Sequence, residues 1–125
     1  MKIKLFISLV IIAAIVVGMF TWFSSNHEHD NDFTLLFSLS ILLALLFTIT
    51  TRLEIVRIIF ATTIGVLLSI IIKIIIDWHY NPTSHNLFPF EIIIDAFLIF
   101  IVTLIGALAG ALFRWIIKKR KQIIK

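Results

Sequence analysis

Cysteine is absent from these 125 residues. Disulfides, thiolate metal sites, cysteine nucleophiles and lipid anchors on sulfur are therefore excluded. Catalytic signatures are missing too: there is no GxSxG, no HExxH, no phosphate-cradling glycine loop and no pair of catalytic aspartates inside a helix. An enzyme is the least expected class. Charge is the third shortage, with 14% of residues charged against 61% hydrophobic, and the few charges fall in clusters. A soluble domain of this size needs a polar exterior that this composition does not supply, so lipid is expected to cover the remainder.

Long uncharged runs fill the space between the clusters. Residues 5–23 and 33–51 carry no charge, 58–76 only Lys73, and 96–113 none. A helix rising about 1.5 Å per residue crosses a hydrocarbon core of about 30 Å in runs of that length. The pattern predicts an all-α integral membrane protein: a single four-transmembrane-helix bundle with helices near 5–24, 33–51, 55–77 and 91–115, followed by a basic tail over 116–125. The first run lacks a small-x-small cleavage site before "SSNHEHDND" and is longer than a secretory signal core, so it reads as a retained anchor.

Charge sign sets an expected orientation. Lys2, Lys4, Arg52, Arg57, Arg114, Lys118, Lys119, Arg120, Lys121 and Lys125 fall on one side of the predicted bundle. All four histidines and six of the seven acids fall on the other. The positive-inside rule then predicts cytoplasmic termini, and the membrane expected is a bacterial cytoplasmic one. Trp22, Trp78 and Trp115 stand near the expected boundaries, where aromatic side chains anchor helices at headgroup level. The tail "RWIIKKRKQIIK" reads as a stop-transfer and topology signal lying against anionic lipid, with no nucleic-acid role.

Helices in lipid gain little from the hydrophobic effect, so rows of small residues mark expected contacts. Helix two offers Ser40, Ala44 and Thr48; helix three Ala61, Gly65 and Ser69; helix four Thr103, Gly106, Ala107, Gly110 and Ala111. Helix one offers only Ala14 and Gly18. "GALAG" is a GxxxG match, and its expected partner is helix three of the same chain or helix four of a second copy.

Lys73, set among six isoleucines in "SIIIKIIIDWHY", continues the Ala61, Gly65, Ser69 row toward Asp77. Asp95 stands four residues inside Glu91 on the antiparallel neighbour, so Lys73 and Asp95 are expected at similar depth as a candidate intramembrane charge pair. The competing expectation is that Lys73 snorkels outward to water. His27, His29, His79 and His85 have side chains suited to metals but no spacing that fixes a ligand set, and neither a metal nor a cofactor is expected. In "YNPTSHNLFPFE", Pro89 is expected ahead of the first turn of helix four and Glu91 at its positive end. Leu87, Phe88 and Phe90 form a candidate outer partner patch.

In size and helix count the chain resembles the small multidrug transporters and the fluoride channels, which are dual-topology dimers of four-helix subunits. The likeness is one of architecture, since helix one lacks the acidic residue of the former and the charge bias argues against dual insertion. The function expected from these features is a noncatalytic accessory, assembly or stress-related subunit with a membrane-protein partner or a second copy of itself. The alternative is a small oligomeric channel or transporter using the Lys73/Asp95 pair. A holin or bacteriocin-immunity protein carries less weight.

Overall fold

The structure, a computed structural model, describes residues 1–22, 32–83 and 87–125. Four helices account for nearly all of them: α1 (Lys2–Thr21), α2 (Asp32–Thr50), α3 (Ile55–Tyr80) and α4 (Phe88–Ile124). Each is long and apolar enough to cross a membrane. Their ends define a basic end of the bundle, holding Met1, the α2–α3 turn and Lys125, and an acidic end holding Tyr80 and Phe88.

The helices start and stop for local reasons. Between α2 and α3 the chain turns over four residues, and Leu53 is buried in the core while Glu54, in extended backbone, opens α3. Its carbonyl accepts the Ile58 amide at 3.1 Å. α3 ends because Pro82 forces its predecessor, Asn81, out of helical geometry (φ −144°, ψ 96°). The Asn81 side chain then accepts the Thr83 amide and hydroxyl, fixing the turn. α4 opens at Phe88, so Pro89 lies inside the first turn rather than ahead of it, where its missing N–H costs no helical bond. Glu91 occupies that first turn as expected.

The largest departure from the expected spans is at the other end of α4. The helix does not stop near Trp115 but runs 37 residues to Ile124, about 55 Å. Hydropathy marks where a span ends, whereas Lys, Arg, Gln and Ile are all acceptable helix formers and nothing in 116–124 breaks the backbone ladder.

Helices adjacent in sequence are not the closest partners. α2 packs most extensively on α4 and α1 on α3, each pair running parallel; the antiparallel α3–α4 contact is smaller, and α1 and α4 do not touch among the described residues. The order around the bundle is α1, α3, α4, α2, with α2 and α3 meeting across the short diagonal. Glycine makes both parallel seams. A Cβ at Gly65 would lie 2.6 Å from the Val10 carbonyl oxygen and 2.6 Å from the Ala13 Cβ of α1. One at Gly106 would meet the Ile41 carbonyl oxygen, and one at Gly110 the Thr48 Cβ at 2.8 Å. The GxxxG row therefore packs on α2 of the same chain, not on α3, and the α3 row packs on α1.

Three buried hydroxyls of the bundle are satisfied within their own helices. Ser40, Thr48 and Thr62 donate to the carbonyls of Leu36, Ala44 and Ile58 at 2.7, 2.7 and 2.9 Å. This back-bonding lets a small polar side chain sit at an apolar contact without leaving an unpaired donor. Ile58, Val66, Ile99 and Val17 fill the bundle interior with no exposed surface.

Candidate functional site

Polar groups gather at the acidic end, where α3 and α4 carry charged residues within or beside their apolar runs. Lys73 lies one turn inside Asp77 on α3, and its Nζ is 3.0 Å from the Asp77 carboxylate. The two side chains are 20% and 22% exposed, so the pair is largely withdrawn from the surface. Asp95 of α4 is buried.

Register relates the two helices. The hydroxyls of Thr63 and Thr103 meet at 3.0 Å across the antiparallel α3–α4 contact, and Thr103 also bonds the Phe100 carbonyl at 2.9 Å. Measured from that contact toward the acidic end, Lys73 is ten residues along α3 and Asp95 eight along α4. At 1.5 Å per residue these are rises of about 15 and 12 Å. Lys73 and Asp95 thus occupy neighbouring levels, with Asp77 a turn further out.

The same level receives α1. Trp22 closes α1, and its indole N–H donates to the Ser69 carbonyl at 2.9 Å, four residues below Lys73. An indole donor in apolar surroundings needs such a partner. Gly18 makes the contact possible, because a Cβ there would run into the Trp22 ring one turn on. Trp22 was expected only as a boundary marker. The signal that identifies its role is the glycine placed four residues before it, which clears one helix face for the ring. The Ser69 hydroxyl itself is buried and has no partner among the described residues.

The remaining expected packing residues, Ala61, Gly65, Thr103, Gly106 and Gly110, are all buried. Two contacts were not anticipated. Ala13, not Ala14, is the fully buried alanine of α1. Arg114 of α4 donates to the carbonyls of Thr48 and Thr51, capping the end of α2 where its last carbonyls lack helical partners. A basic residue at a predicted span boundary reads equally well as a topology signal, so sequence alone did not single it out.

Leu87, Phe88 and Phe90 are exposed at the acidic end beside the exposed Trp78 and Tyr80. His79 stacks edge-on against Tyr80 with ring centroids 5.6 Å apart. His27, His29 and His85 lie outside the described residues. No family model, curated protein or solved structure matches the chain.

Proposed function

We propose that the chain is a multi-pass protein of a bacterial cytoplasmic membrane, with both termini cytoplasmic, acting as a noncatalytic accessory or assembly subunit. The carrying observation is how the bundle spends its small residues. Gly65, Gly106 and Gly110 bring backbones together within one chain and leave an interior packed with Ile58, Val66 and Ile99. A bundle closed in this way favours a role carried by its outer surface. The apolar patch Leu87, Phe88 and Phe90 at the acidic end is the surface assigned to the partner.

Affinity capture of the full chain from a mild detergent is expected to recover one membrane protein in stoichiometric amount. Changing Leu87, Phe88 and Phe90 to serine is expected to release it. Recovery of the chain alone, in wild type as in the triple variant, counts against an accessory role.

A second reading, a small oligomeric channel or transporter, is favoured by the buried Asp95 at the level of Lys73. Ionisable groups at such depth often mark ion or proton paths. Flux into vesicles that is lost in Asp95→Asn but kept in the serine triple variant would select this reading over the first.

A further inference from the structure

We propose that the end of α4 from Trp115 to Lys125 is a recognition site for anionic phospholipid headgroups, reading the composition of the leaflet at the basic end. The inference rests on the membrane-spanning reading, and not on whether the chain is a subunit or a transporter.

Charge supplies the first observation. Arg114, Lys118, Lys119, Arg120, Lys121 and Lys125 follow one another with no acidic residue anywhere after Asp95. Among the described residues the ion pairs of the bundle lie elsewhere, at Glu54–Arg57 and Lys73–Asp77. Arg114 is engaged by carbonyls at the end of α2, and the five cations beyond it have no counter-charge within ion-pair distance among the described residues. So dense a set of like charges on one helix requires external anions, and fixed anions on a surface satisfy it better than free salt.

Shape supplies the second. On a helix, Arg114, Lys118, Lys121 and Lys125 fall on one stripe at spacings of four, three and four. Ile116 and Ile123 lie opposite that stripe and Ile117 and Ile124 on its flank, with Lys119 and Arg120 between them, and all four isoleucines are exposed. In bulk water the segment would solvate these isoleucines, whereas at a lipid boundary Ile116 and Ile117, next to Trp115, meet acyl chains while the cations beyond them reach phosphates. A soluble acidic partner would satisfy the charge and leave the isoleucines uncovered.

The third observation localises the headgroup. Trp115, Lys118, Lys119 and Gln122 share one exposed face of α4 at i, i+3, i+4 and i+7, and the Lys119 Nζ stands 5.0 Å from the centre of the exposed Trp115 ring. Leu112 lies one turn inward on the same face, at the i, i+3, i+7 spacing with Trp115 and Lys119. An acyl chain running along Leu112 and Trp115 places its phosphate beside Lys118 and Lys119, with Gln122 free to donate to the glycerol.

The cysteine-free sequence makes the test direct. Leu112→Cys carries a bimane label, and the full chain is reconstituted in phosphatidylcholine vesicles containing the same small mole fraction of either brominated phosphatidylglycerol or brominated phosphatidylcholine. Bromines on the acyl chains quench the label only when that lipid is adjacent. Brominated phosphatidylglycerol is expected to quench at least about threefold more efficiently, a modest effect for several lysines near an anionic surface. Lys118→Gln, Lys119→Gln and Lys121→Gln combined should abolish the difference, as should molar salt. A chain that inserts into both vesicles and is quenched equally overturns the lipid inference alone. A chain that carbonate extracts from both overturns the membrane reading together with it.

Discussion

At the scale of single residues, a methyl group separates the glycines that make the bundle from the one that serves a side chain. At Gly106 an added Cβ meets the Ile41 carbonyl oxygen, a backbone atom that moves only if α2 and α4 separate. Gly106→Ala is expected to cost about 1–3 kcal/mol, the range for overpacking a well-filled contact. At Gly18 the obstacle is the Trp22 ring, which can swing away on losing its bond to Ser69, so Gly18→Ala should cost about 1 kcal/mol. Thermal unfolding in detergent with both single variants measures the difference. Equal losses would place the α2–α4 seam under no greater constraint than the Trp22 contact.

At the scale of elements, Lys73 has a partner on its own helix, and the question is what Asp95 adds. Removing one member of a fully buried pair can cost about 3–5 kcal/mol, but these groups lie toward one end, where Lys73 reaches outward to Asp77. A double-mutant cycle of Lys73→Leu and Asp95→Leu, run in an Asp77→Asn background to remove the local pair, is expected to give a coupling of about 1 kcal/mol. Coupling near zero would assign Lys73 to Asp77 and to water alone. The parallel seam between α2 and α4 has its own test. Thr48→Cys with Gly110→Cys places two Cβ atoms near the spacing of about 3.8 Å that a disulfide requires, after a small opening of the 2.8 Å approach. Oxidation in membranes should cross-link this pair, whereas Thr48→Cys with Gly65→Cys, on a helix face turned to α1, should not.

At the scale of the whole molecule, the distribution of charge predicts the orientation. Single cysteines at Ser25 and Ser84, both outside the described residues, should react with an impermeant reagent applied to intact cells, and one at Gln122 should not. Labelling at Gln122 alone would reverse the orientation and put the lipid-reading end of α4 on the outer leaflet. The continuous course of α4 matters here, because a helix of about 55 Å exceeds a hydrocarbon core of about 30 Å, so in the proposed membrane-spanning arrangement its basic stripe would stand in the headgroup layer.

Four helices, their approximate limits and the small-residue rows were legible because each depends on composition along one segment: nineteen uncharged residues are apolar whatever surrounds them, and a proline ends α3 by its own ring geometry. The expectation that Lys73 and Asp95 share a depth came from counting residues along two antiparallel helices, and the double-mutant cycle is its test. The tertiary structure alone decided which rows meet. A row of glycine and alanine permits close approach without naming the partner, so "GALAG" fits α2, α3 or a second copy equally well as sequence. The choice of α2 depends on Ser40, Ala44 and Thr48 presenting a complementary face at the same depth, and on α3 already giving its own glycine to α1. The bonds from Trp22 to Ser69 and from Arg114 to the end of α2 were beyond reach for the same reason, since each joins segments about fifty residues or more apart whose meeting is fixed only once all four helices have packed.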